Sequence, residues 1–173
     1  MPISQIVTNS IANGAVVAAD LAAGAARANF GAGAVLQVVF ATTTTETSTT
    51  STSVWSDTTL TASITPASAS NRILVLLSQN GVNRQNNPGG VKVRLLRGAT
   101  ALNEYAGIYG AAWQGGGIGS ENGVGAVSAE HLDSPNTTSP VTYKTQLQAG
   151  QGGQAIVQHG NATSTMVLME IAG

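Results

Sequence analysis

The chain has 173 residues, of which 9% are charged, with a net charge of −1; an ordinary soluble protein carries about 25% charge. Its seven Lys and Arg residues leave no electrostatic footprint for nucleic acid and no polybasic segment for an anionic membrane. The absence of cysteine excludes disulfides and thiolate metal sites, so stability has to come from packing and assembly.

The length suits one domain that buries roughly 70% of its unfolded surface. The opening "MPISQIVTNS" lacks the basic region and apolar core of a signal peptide, so the expectation is synthesis inside a cell without export by the usual route. The most apolar run, from Gly31 to Phe40, is about half the length of a membrane span, and no membrane insertion is expected.

In chain order, the first segment differs from the rest. Its larger apolar residues, Ile6, Ile11, Val16 and Leu21, recur every five positions. A helix needs steps of three and four, and a strand steps of two. Asn9, Asn13-Gly14, Gly24 and Asn29 add turn chemistry. This pattern predicts an extended arm over residues 1–33. Such an arm buries too little to offset its own ordering entropy and is ordered only against a partner, most simply copies of itself. An Ala-rich helix from Ala15 to Ala28 is the alternative.

From residue 34 to 173 the signals are for strands. "AVLQVVF" (34–40) is apolar and β-branched. "TLTASIT" (59–65) places Leu60, Ala62 and Ile64 on one face. "RILVLLS" (72–78) is continuously apolar, which predicts burial on both faces. "GVNRQNNPGG" reads as a polar loop. "VKVRLLRG" (91–98) puts Val91, Val93 and Leu95 inward, with Lys92 and Arg94 outward. "ALNEYAGIYG" is a weaker pair. "GVGAVSAEHL", "VTYKTQLQ", "QAIVQHG" and "STMVLMEIA" complete the set.

Short strands with turn residues between them predict an all-β antiparallel sandwich, jelly-roll-like, as the head domain. The Ser/Thr tract from Thr42 to Ser53 begins inside one strand signal and ends at Val54-Trp55. It reads as an edge hairpin bending near Glu46 with its hydroxyls outward, because Thr fits a pleated surface. A disordered linker is the alternative.

The order of "AVLQVV", "SITPASASNRILVLLS", "VKVRLLRGAT", "LDSPNTTSPVTYKTQLQ" and "STMVLMEIAG" resembles small virion proteins and fibre tips of tailed bacteriophages. "IANGAVVAADLAAGAA" is similar to the Ile/Ala/Gly arms that attach phage fibres. The resemblance implies a homotrimeric virion component. Its arm, carrying Ile6, Ile11, Val16 and Leu21, would meet other phage tail or capsid proteins. Its head would be similar to the jelly rolls of complement-like and tumour-necrosis-factor-like trimers.

Catalytic signatures are missing from the sequence, so no enzyme and no cofactor are expected. "GQGGQA" (150–155) matches a dinucleotide fingerprint in form only; it opens no helix and reads as a hairpin turn. His131 and His159 stand apart, short of the three or four ligands a zinc site needs. A glycosidase needs two facing carboxylates, which Glu130 with Glu121 or with Asp133 would have to supply. Asp133, before Ser134-Pro135, reads as a turn residue.

Two stretches suit recognition. Tyr105, Tyr109 and Trp113 recur at four-residue steps in a Gly-rich setting, and "NRQNNPGG" carries Arg84 among amides. Arg84, Tyr105, Tyr109 and Trp113 are thus the candidate receptor contacts, for a host surface glycan or outer-membrane protein. Core packing of the aromatics and an ordinary solvated turn are the alternatives. Three functions compete: a receptor-binding fibre or fibre tip, a capsid decoration protein or tail appendage with a purely structural role, and a small hydrolase. The missing motifs count against the third.

Overall fold

The computed structural model describes residues 31–85, 89–105, 111–114 and 123–173. Ile6, Ile11, Val16, Leu21, Tyr109 and Glu121 lie outside those residues. The strands in chain order are β1 (Val35–Thr43), β2 (Thr47–Thr49), β3 (Ser56–Ile64), β4 (Arg72–Gln85), β5 (Gly89–Arg97) and β6 (Thr100–Glu104). They continue with β7 (Ala111–Gln114), β8 (Gly123–Asp133), β9 (Val141–Ala149), β10 (Gln154–Val157) and β11 (Ser164–Ile171). Every ladder is antiparallel.

The strands form two sheets. In the first, β8 lies along one side of β4, and β11 then β10 lie end to end along the other. β1 pairs with β11 and β2 with β10, so these two also run end to end, as the outer edge. The second sheet runs β3-β9-β5, with β6 and β7 sharing the far side of β5.

The alternation read from the sequence predicts the inward faces. Leu60, Ala62 and Ile64 of β3 meet Ile73, Val75 and Leu77 of β4, Tyr143 of β9, and Met166 and Leu168 of β11 in one buried cluster. Val82, Val91, Val93, Val127, Leu147, Ala149, Ala155 and Val157 form a second. Both clusters draw on both sheets, so the sheets face each other in a sandwich-like arrangement.

Between the clusters lies a polar layer. Thr145 Oγ1 donates to Gln79 Oε1 at 2.9 Å, which leaves Thr58 Oγ1 as donor to Thr145 at 2.6 Å. The Gln158 amide is assigned from its surroundings. Its oxygen accepts from Gln79 Nε2 and from Ser164 Oγ, and its nitrogen reaches the Thr45 carbonyl at 3.2 Å. Ser164 Oγ in turn accepts from Asn80 N at 2.9 Å. Gln79, Thr145, Gln158 and Ser164 are fully buried. The chain of donors therefore crosses from β3 and β9 to β4 and on to the connection between β10 and β11.

The same level is where the first sheet bends. β4 carries a register shift between Gln79 and Val82, with Gly81 at φ 58. A Cβ at Gly81 would fall 2.5 Å from His159 N, so only glycine fits this bulge. β1 breaks before β2 here, and a 3-10 turn at His159–Asn161 separates β10 from β11.

Two further clamps hold the ends. Glu170 on β11 is fully buried and accepts from Gln37 Nε2, Ala67 N and Asn71 Nδ2, each at 2.6 Å. Asp133 at the end of β8 takes Arg97 Nη1 on both carboxylate oxygens at 2.8 Å and the Tyr143 hydroxyl at 2.7 Å. That clamp ties the first sheet to the second, and burial together with the Asp133 acceptor pushes the Tyr143 phenol far above its ordinary range. Asp133 is thus a strand-end anchor, in place of the turn residue expected.

Three other expectations are corrected. The Ser/Thr tract is folded, but not as a hairpin: β1 and β2 pair with β11 and β10, never with each other. Its hydroxyls satisfy nearby amides instead, as in Val54 N to Ser51 Oγ at 2.8 Å. "GQGGQA" joins β9 in the second sheet to β10 in the first, so it is a crossing between sheets. β4 continues through residues 81–85, where a loop was expected, because β8 and β10 supply partners on both sides.

The polar layer yields a prediction. Gln79→Leu should cost about 2 kcal/mol by stranding the Thr145 hydroxyl and removing one of the two donors to the Gln158 amide oxygen. Gln79→Leu with Thr145→Val should cost less than the sum of the two single changes. Urea unfolding of the four chains measures both.

Candidate functional site

The two outer faces of the sandwich differ in chemistry. On the second sheet the outward positions of β3, β9 and β5 are Thr59, Thr61, Ser63, Thr142, Lys144, Gln146, Lys92 and Arg94, joined by Asp57. One row crosses four strands as Asp57, Gln146, Arg94 and Glu104. Gln146 donates to Asp57 at 2.6 Å and accepts from Arg94 Nε and Nη2 at 2.8 and 2.6 Å. Lys144 reaches Asp57 at 2.8 Å. Lys92 lies 3.0 Å from Gln148 and 3.5 Å from Glu104.

Trp55 covers part of this row. The Arg94 guanidinium sits 4.3 Å from its ring centroid and the Lys92 ammonium 5.3 Å, both within cation–π range. The ring is half-buried. An aromatic ring beside amides and charges of both signs suits hydrogen-bonded recognition of a polar ligand, such as a sugar.

Sequence reasoning set Lys92 and Arg94 outward, and the structure agrees. It did not connect them with Trp55, which lies far away in sequence at the end of the Ser/Thr tract. Only the β3-β9-β5 register brings the three together.

The predicted receptor contacts are placed differently. Arg84 is 2% exposed and sits in β4, opposite Ala155 and Gly123. Its expected position in a solvated loop is therefore corrected: two residues beyond the core residue Val82, it lies on the inward face of β4. Tyr105 follows β6, donates its amide to Val93 O at 2.8 Å and is half-buried against both core clusters. Burial, then the charge of Glu130, raises its phenol above the ordinary value. Trp113 lies on β7, which pairs with β5.

The paired carboxylates also separate. Glu130 points outward from β8 and Asp133 inward, since positions three apart on a strand face opposite ways. His159 Nδ1 meets Glu46 at 2.9 Å where β1 gives way to β2, whereas His131 lies on β8. Among the described residues no three His, Asp or Glu side chains gather as a metal-ligand set. No helix among them is long and apolar enough to cross a membrane.

Comparison of the sequence with protein-family models finds no match, and comparison with curated proteins finds none either.

The polar row is testable by pH. The hydrogen bond from Lys144, then that from Gln146, holds the Asp57 carboxyl below its ordinary value of 3.8. A folded-state pKa below the unfolded one stabilises the fold above the unfolded value, and that contribution is lost as pH falls through the folded pKa. Carbon-detected NMR should place the Asp57 midpoint below 3.8, and Lys144→Ala should move it back up.

Proposed function

We propose that this protein is a structural component of a tailed-bacteriophage virion, a trimeric tail fibre or fibre tip. It is made in the host bacterial cytoplasm and assembled into the particle. Residues 1–33 form the attachment arm, with Ile6, Ile11, Val16 and Leu21 as its apolar contacts to tail or capsid proteins. Residues 34–173 form the head, which meets a host surface glycan or outer-membrane protein.

The observation that carries this reading is the strand order. The ribbon β1/β2, then β10/β11, β4 and β8, faces β3, β9, β5 and the ribbon β6/β7. With β1/β2, β6/β7 and β10/β11 each taken as one ribbon, successive strands change sheet at every step but β5 to β6/β7, which matches the order of a jelly roll, the head architecture that the phage resemblance implies. Fold alone does not carry function; the quoted segments add the virion assignment and the scarcity of charge adds assembly.

A second reading, capsid decoration or a purely structural appendage, is favoured by one finding. Arg84 is buried and Tyr105 half-buried, which leaves Tyr109, Trp113 and the face around Trp55 as the candidates for host contact.

Removing residues 1–33 should leave a folded head, judged by circular dichroism, that no longer joins the particle in a phage-assembly assay. Normal incorporation of the truncated chain would place the anchor elsewhere. Replacing Trp113 by Ala should weaken host-cell adsorption by about 2 kcal/mol, the size of an aromatic hot spot, with little change in melting temperature. A loss of about 3–5 kcal/mol in stability would instead mark Trp113 as core.

A further inference from the structure

The outer face of the first sheet is unlike that of the second. Its register aligns Val38, Met169, Leu74 and Leu132 in one row across four strands, and Phe40, Val167, Leu76 and Glu130 in the next. Val35 and Ile171 extend the patch toward the start of β1, whereas Thr42, Thr165, Ser78 and Ser128 form its polar border. Val35, Val38, Phe40 and Leu132 are 50%, 56%, 64% and 47% exposed.

The sequence already asks for a cover here. "RILVLLS" is apolar on both faces, yet the chain buries only Ile73, Val75 and Leu77, and Leu74 and Leu76 remain half-exposed. From strand and row spacings the apolar rows span on the order of 300 Å², at the size where an exposed patch on a monomer is commonly functional.

The patch has a raised edge and a hollow. Phe40 projects from the edge strand β1. One strand further in, a shallow depression of about 270 Å³ is lined by Leu76, Ser78, Ser128, Glu130, Thr165 and Val167. A cavity of about 150 Å³ holds a benzene ring, so the depression has volume enough for a phenyl group.

We infer that this face is where copies of the chain join, with the Val38–Phe40 edge of one copy seated in the β4–β8–β11 depression of the next. This rests on the trimeric reading above and names its surface. Charge supports a second copy as the occupant. The charged side chains on or bordering the patch are Arg72 and Glu130, one of each sign, so the face carries no net charge to oppose a second copy. A polyanion or an anionic membrane would need a net positive face.

The position of the arm supports it too. Gly33 N donates to Ala172 O at 2.8 Å, which fixes the base of the proposed arm at the corner marked by Val35 and Ile171. Copies joined through this face would bring Gly33, the base of the proposed arm, of each toward the others. An edge that seats in a distinct hollow is a heterologous contact, which closes into a ring when the rotation allows. Each copy then buries two different patches.

Sedimentation of the full chain at micromolar concentration tests this, with Phe40→Asp and Ser128→Trp beside the native protein. The native chain should run as a trimer. Phe40→Asp, which removes the projecting ring, and Ser128→Trp, which fills the hollow, should each weaken association at least a hundredfold and run as monomers. Far-UV circular dichroism should be unchanged, because both positions are exposed. If one variant fails to fold, the other decides. A native trimer that survives both changes would overturn the inference and leave the trimeric reading standing. A native monomer would overturn both, while the arm-deletion assay decides the virion role separately.

Discussion

A chain of hydrogen bonds, from Thr58 through Thr145 and Gln79 to Gln158, runs between the two apolar clusters of the core. Apolar and polar alternation alone sets which face of a strand is buried, but leaves a slip of two residues nearly free. β9 buries Val141, Tyr143, Thr145, Leu147 and Ala149 in turn. Slipping it by two would set Tyr143 or Leu147 against the Gln79 amide and strand several polar groups, at about 1–3 kcal/mol each. The polar layer therefore selects one register across both sheets.

The bends of the first sheet follow from the same layer. Gln158 must turn inward to meet Gln79, and it does so at φ 56, between β10 and β11. β4 answers with the Gly81 bulge, and the edge strand breaks at residues 44–46, where the Thr45 carbonyl takes the Gln158 amide. These breaks in β10/β11, β4 and β1/β2 fall at one level. The Ser/Thr tract is thus held by backbone pairing on either side of a break, with hydroxyls closing the local amides.

Two outer faces of opposite character bear on function. One carries a lattice of amides and charges that already satisfy each other and that water solvates well. The other carries Val38, Phe40, Leu74, Val167 and Met169 in continuous rows. On the proposed assembly Leu74 and Leu76 would be covered as well, which would account for a segment that is apolar on both faces. The proposed assembly would also account for the low charge, since ions caught between subunits would have to be desolvated.

Periodicity in the sequence determined that the described chain is all-β, that Leu60, Ala62 and Ile64 share a buried face, and that Val91, Val93 and Leu95 point in while Lys92 and Arg94 point out. These follow from the two-residue period of a strand, which is a local property. The tertiary structure alone decided which strands pair. That choice turned Arg84 inward on β4, made Asp133 the partner of Arg97 and Tyr143, and turned an expected hairpin into two end-to-end edge strands. It also laid Trp55 against Arg94 and aligned Phe40 with Val167 and Leu76. Each is a contact between residues distant in sequence, and the information that selects it lies in the shape and hydrogen-bonding needs of the assembled core, which no single segment carries.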